Sequence, residues 1–401
     1  MKKYDMFKKA NKQFKIICKI VFIITIIIII YLNFNYSYME DMEKFNILEE
    51  QELQFNIKGF LDKSKEYSRD IFEGNEIEEV FKNVVKGKVE NRTIIKKITD
   101  IFFKEIKDNF INVATIFSII IIHSILKTIS DGLENSEISK LMYYVEYIMI
   151  VTVIMDNFVG IIKLVEGTIK DLSMFTNLLI PLLMTFIIYT GNIAVTSMIQ
   201  PIILFMINFI SIFIRRFILP LTLIYTTFML ISKLTDRIEI ENISKTFKSS
   251  INWILTTILV VFVSVLSLEG TLASSIDGVT LKTTKSVVSS TVPVVGKILG
   301  DAVDSIFGAT NILKNAAGIL GVIIIVGICI RPIMKLFIIM MLYRILIIIV
   351  EPICDKKIVG ILENISEIFK ILMAIIITIS VLFIIGTSLI LKISNISMMY
   401  R

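Results

Sequence analysis

Apolar residues in this chain come in long runs, not in the short periodic sets that build a soluble core. A run of about 18 or more can cross the roughly 30 Å hydrocarbon core of a bilayer as a helix. Read this way, the sequence predicts nine spans after an N-terminal apolar stretch: about 110–126, 141–164, 172–190, 193–214, 217–231, 251–268, 316–330, 333–350 and 369–391. Several are only 15–17 residues long, so crossing and re-entrant readings both stand for them. The fold class is all-α: a polytopic transmembrane helical bundle with a small helical extracytoplasmic N-terminal region.

The N-terminus has a different pattern. Residues 1–37 read as a signal peptide or signal anchor, since Lys2, Lys3, Lys8, Lys9, Lys12, Lys15 and Lys19 precede an apolar stretch of about 13 residues at 20–32. No Ala-x-Ala site follows, so cleaved and uncleaved forms are both open. Residues 38–109 are polar and mixed in charge, with Ile94, Ile98, Ile101 and Phe102 at helical spacing. They form the extracytoplasmic helical region, with some helices along the membrane surface. Residues 110–401 are the multi-span domain. Exporting 38–109 leaves the loops 127–140 and 233–250 and the tail with Lys392 and Arg401 in the cytoplasm, as Lys/Arg placement prefers. The same count puts Arg215, Arg216 and the polar loop 269–315 outside.

Composition then removes function classes. The chain of 401 residues is 55% hydrophobic, with a net charge of +6 and a mean hydropathy of +0.79. Positive charge of this kind belongs to cytoplasmic loops and membrane surfaces, and no dense basic face with interleaved aromatics points to nucleic acid. Cys18, Cys329 and Cys354 share no metal-type spacing, and His123 is the only histidine. Neither a zinc site nor a Ser/His/Asp set can be built from them, so no metal, cofactor or catalytic residue is expected. The chain also lacks a G-x-x-x-x-G-K-[ST] nucleotide loop.

The most distinctive polar chemistry lies in the loop 269–315. There Ser275–Lys285 breaks the apolar monotony and is followed by a segment from Pro293 to Gly308. Lys297, Asp301 and Asp304 share one helical face, while Ile298, Ala302 and Ser305 share another. Gly296 and Gly300 have the G-x-x-x-G spacing that lets helices approach closely. Two readings compete: an interfacial connector whose polar face meets water, or a segment that dips into the bundle or lines a path shared with partner subunits. The second makes Lys282, Lys285, Gly296, Lys297, Gly300, Asp301 and Asp304 candidate conduit or subunit-contact residues.

At this loop the chain resembles a known family. The runs Asp277–Lys285, Pro293–Asp304 and Leu313–Gly321 look like the stage III sporulation protein AE family. So do Ser139–Tyr144, Gln200–Phe205, Phe217–Leu221 and Asn395–Arg401. The resemblance covers most of the chain from about Ile77 onward, and its specificity lies in the order and spacing of individually plain motifs. It implies a member of an eight-protein set made in the mother cell during endospore formation. With a forespore membrane partner, that set forms a secretion-like apparatus across the two membranes around the forespore, needed for late forespore development. It also implies the other stage III sporulation A-type membrane proteins as partners, and a separate secretion-type ATPase subunit. Such a chain is a multi-pass protein of the mother-cell membrane surrounding the forespore, in a hetero-oligomer that can also be homo-oligomeric.

Charges at membrane depth are costly and often functional. Glu146 and Asp156 join the candidates, with Arg215, Arg216, Arg344 and Glu351 beside them; for each, interfacial snorkelling competes with a role in a polar conduit or subunit contact. The functional alternative to a channel subunit is a stand-alone secondary transporter of a small molecule. Transporters often carry internal repeats, and no repeat between 110–231 and 251–391 is evident.

Overall fold

Every described element is helical. The computed structural model describes residues 56–68, 76–86, 91–131, 136–190, 193–234, 242–265, 295–354 and 356–399, all within one unit, Glu43–Arg401. The segment 1–37, Lys282 and Lys285 lie outside the described residues. Two short helices come first, α1 (Ile57–Tyr67) and α2 (Glu76–Val85). The long ones follow: α3 (Asn91–Asp131), α4 (Ser136–Tyr189) and α5 (Ile193–Phe213). A π-helical segment, Ile214–Ile218, joins α5 to α6 (Leu219–Leu234). The rest are α7 (Asn242–Val265), α8 (Val295–Val350) and α9 (Lys356–Met399).

Among the described residues, the nine expected spans merge into six helical stretches long and apolar enough to cross a membrane. Expected spans 141–164 and 172–190 are one helix, α4. Spans 193–214 and 217–231 are joined through the π segment, and 316–330 and 333–350 run together as α8. The reason is that a gap in hydropathy is not a gap in helix propensity. The polar stretch of α4 holds Lys163, Glu166 and Lys170, all good helix formers. Pro181, Pro201 and Pro332 lie inside helices, where each removes one backbone bond that packed neighbours can tolerate. The helix α3 is likewise continuous across the 109/110 boundary, and α8 begins at Val295, inside the stretch read as a loop.

Helix α1 shows how a short element is anchored here. Asn56 precedes it with a left-handed φ of 50°, a conformation asparagine tolerates better than most residues. Its side-chain oxygen accepts from the Gly59 N–H at 3.3 Å, which caps the helix. Ile57, Phe60 and Leu61 are buried, and Phe60 and Tyr67 meet Phe175 of α4 with ring centroids 6.3 and 5.9 Å apart. Lys65 reaches Asp62 in its own helix and Glu78 of α2, each at 2.9 Å. These hydrogen bonds, Asp62 first and then Glu78, hold its ammonium above the usual lysine range.

The centre of the bundle is α8, packed against α9, α4 and α3. Two glycines set its closest approaches. A Cβ at Gly318 would collide with Leu391 of α9, and one at Gly321 with Leu179 of α4. Small residues play this part between membrane helices because close backbone approach adds van der Waals contact where no hydrophobic drive operates. Gly160 of α4 differs, with nothing within 4 Å of its Cβ position. Replacing Gly318 or Gly321 by Ile should therefore destabilise the bundle by about 1–3 kcal/mol through overpacking. Gly160→Ala should instead stabilise it by about 1 kcal/mol through helix propensity. Thermal unfolding of the detergent-solubilised protein measures both, and the two effects should have opposite signs.

Candidate functional site: a charged level within the bundle

Long apolar helices leave polar groups few places to go, and here they gather. Glu105 of α3 is buried at 3% exposure. Its carboxylate lies 3.7 Å from Arg331 Nε and 3.9 Å from Lys335 Nζ of α8, and it accepts from Asn109 Nδ2 at 3.2 Å. A buried carboxylate is tolerated only when charge and hydrogen bonds replace its hydration, so this tie fixes α3 against α8. Arg331 also borders a cavity of about 470 Å³ with Lys163, Thr168 and Asp171 of α4 and Glu66 and Tyr67 of α1. Burial, then Glu66 and Asp171, push the Tyr67 hydroxyl above the usual tyrosine range.

Arg215 and Arg216 fall at the same level. Asn177 of α4 and Asn208 of α5 exchange amide hydrogen bonds at 2.9 and 3.0 Å. Counting two helical turns from each along the antiparallel pair brings Arg215 alongside Lys170. Both arginines occupy the π segment. Single-turn π-bulges inside helices often mark functional sites. Hydropathy reads the two arginines as the connection between two spans; they instead lie in the π segment of one continuous helical stretch. The level thus draws on α1, α3, α4, the π segment and α8.

Polar contacts continue on the side of this level where α3 and the first half of α4 pair. Asn112 donates to Asn157 at 2.8 Å. Further along, His123 Nε2 approaches Glu146 Oε2 at 3.1 Å, with both side chains buried. Glu146 was legible as a charge at depth, but the histidine read as isolated turns out to be its partner. Asp156, the other α4 candidate, is exposed. The Tyr147 hydroxyl donates to the Leu230 carbonyl at 2.8 Å, tying α4 to α6. Lys248 of α7 meets Glu367 of α9 at 2.7 Å, with Lys370 at 3.8 Å from the same carboxylate. Arg344 is half-buried, and Glu351 is exposed in the turn between α8 and α9.

The loop candidates are placed only in part. Gly296, Lys297, Gly300, Asp301 and Asp304 lie on the first turns of α8, whose backbone is helical from Val295. Sequence reasoning misses Glu105, Arg331, Lys335 and Glu367 as charges within the bundle, and it misses Lys314. Lys314 is fully buried in α8 at 0% exposure, one turn before Gly318 on the same face. Its signal was present in the run Leu313–Gly321, where a lysine sits among small residues. Among the described residues, no three His, Cys, Asp or Glu side chains gather as a metal site would require.

A polytopic, all-helical membrane protein is thus defined, with charged groups paired across its helices. The family described as stage III sporulation protein AE matches residues 75–394, and the chain belongs to that family. It is similar to stage III sporulation protein AE of Bacillus subtilis (strain 168), 25% identical over 307 residues, which is 77% of each chain. No solved structure matches. The matched descriptions name a stage of sporulation and no reaction.

The Glu105 tie makes an asymmetric prediction. Arg331 and Lys335 keep 45% and 33% side-chain exposure, whereas Glu105 keeps 4%. Glu105→Gln leaves two cations that water still reaches, and should cost about 1 kcal/mol. The double variant Arg331→Ala/Lys335→Ala strands a buried carboxylate and should cost on the order of 3 kcal/mol. Thermal midpoints in detergent would show this ordering; equal losses would contradict it.

Proposed function

We propose that this chain is the polytopic membrane subunit of a channel or secretion-like apparatus between mother cell and forespore, required for late forespore development. Its place is the mother-cell membrane surrounding the forespore. Its partners are other stage III sporulation A-type membrane proteins, a secretion-type ATPase subunit and a partner in the forespore membrane. The observation that carries this reading is the extent of the family match, which runs from the start of α2 into the end of α9 and so takes in all six long helical stretches. A match to one helix pair would support far less. The charged level adds physical support, since paired polar groups inside an apolar bundle are costly without a use. Energy for transport comes from the ATPase partner.

Within that role, Lys282, Lys285, Gly296, Lys297, Gly300, Asp301, Asp304, Glu146 and Asp156 are the residues proposed to line a conduit or contact other subunits. Copurification of a tagged chain from sporulating cells tests the assembly. The ATPase and the small membrane partners should come with it. Recovery of the chain alone, together with solute movement by the purified chain in liposomes, would favour a stand-alone transporter. For the loop face, the double variant Lys297→Ala/Asp301→Ala should lower heat-resistant spore counts at unchanged protein level. Wild-type counts would remove these two from a conduit.

A further inference from the structure

The apolar stretch Thr196–Ser232 runs through α5, the π segment and α6. Its 37 residues extend about 55 Å at 1.5 Å per residue. A bilayer's hydrocarbon core is about 30 Å thick, and a tilt of about 20° shortens the stretch only to about 52 Å. A bilayer surface therefore meets it part-way along, at the lowest cost where it is charged. Arg215 and Arg216 are its only charged residues.

Neither charge is compensated. Among the described residues, neither arginine makes an ion pair. Arg215 is half-buried, and its Nε, shut off from solvent, has no acceptor among them. Ser211 stands about one turn earlier on the same face. It is 1% exposed, and its hydroxyl also lacks a hydrogen-bond partner among the described residues. Both follow Asn208 on the side turned to Asn177 of α4. At that level α4 carries Glu166 and Lys170 one turn apart, whose charges cancel and leave the arginines' two standing. The nearby carboxylates are engaged elsewhere: Glu105 lies against Arg331 and Lys335, and Glu66 and Asp171 line the cleft between α1 and α4. A cation at membrane depth is costly without a counter-ion. Arg216 itself is exposed, on an outer face that is apolar to either side. Phe205, Phe209, Phe213 and Phe217 stack along it with successive centroids 5.9, 6.0 and 5.1 Å apart, and the exposed Leu223 and Ile224 follow.

We infer that the π segment binds the phosphate of one anionic phospholipid, with Arg215 and Ser211 donating to its oxygens, Arg216 beside it at the surface and an acyl chain along the exposed phenylalanines. Two positive charges without a counter-ion favour a lipid of net negative charge over a zwitterion, whose ammonium would find only Glu166. The apolar face flanking the arginines favours a lipid over a free phosphate ester, which gains nothing from it. Their place part-way along a stretch longer than the bilayer favours a headgroup over an acidic side chain of another subunit. This inference rests on the membrane-spanning fold and not on the sporulation role.

Native mass spectrometry of the full-length protein in detergent tests it, with phosphatidylglycerol, phosphatidylethanolamine and water-soluble glycerophosphoglycerol added separately. One equivalent of phosphatidylglycerol should be retained, more tightly than either of the others. Arg215→Gln should weaken its binding about tenfold, as loss of a charge-assisted contact does, and Ser211→Ala should weaken it less. In lipid-free detergent the thermal midpoint of Arg215→Gln should not fall below that of the wild type, since no pairing within the chain is lost. Added phosphatidylglycerol should raise the wild-type midpoint and leave the variant's where it was. Equal retention of the two lipids would assign the arginines to an acidic side chain of another subunit and overturn the inference. Glycerophosphoglycerol binding as tightly as the lipid, unchanged lipid binding in Arg215→Gln, or a lower lipid-free midpoint in that variant would each overturn it as well.

Discussion

The rest of this structure depends on how it keeps charge inside a bundle of apolar helices. A lone ion at such depth is expensive, and the chain answers with partners drawn from other helices. Glu105 lies against Arg331 and Lys335, Glu146 against His123, and Glu367 against Lys248 and Lys370. Each set joins two different helices. The neutral pairs Asn112–Asn157 and Asn177–Asn208 do the same with amides. Apolar packing between membrane helices is nearly indifferent to rotation and sliding, because one leucine face resembles another. These polar ties are not indifferent, since an offset of one residue breaks them. They set register, and the glycines of α8 then let the registered helices close.

Much of this fold was legible in the apolar runs, and the errors share one cause. Hydropathy reports where a segment prefers oil, and spans were separated wherever that preference lapsed. The lapse at 163–171 is made of lysine, glutamate and aspartate, most of which continue a helix readily. The lapse at Arg215 and Arg216 is absorbed by a π turn, which takes in an extra residue without ending the helix. At Arg331–Pro332 the proline costs one hydrogen bond, and the packed bundle carries that loss. A helix end would show a change in the backbone, as at Asn56, and the helices run through all three places. The polar positions were thus found correctly, and their meaning as loops was not.

The site was legible in the same partial way. Glu146 was recognisable as a charge at depth from its neighbours alone. Its partner His123 lies on another helix, 23 residues earlier, and a lone histidine in an apolar run gives no sign of what it faces. The same holds for Glu105, whose cations lie more than 200 residues away. Pairing across helices is a property of register, and register is not written in any local window. The exception is the run around Gly318 and Gly321, where small residues at helical spacing announce a close contact without saying with which helix.

The continuity of α4 has a mechanical consequence. From Ser136 to Pro181 it is an uninterrupted helix of 45 residue steps, about 68 Å long. A rod of that length converts angle into distance: a tilt of about 5° at one end carries the other through about 6 Å, a little over one helical turn. Two segments joined by a loop would absorb such a tilt at the joint. In this chain the Glu146 end and the Asn177 region are rigidly geared, so whatever leans on one end is felt at the other.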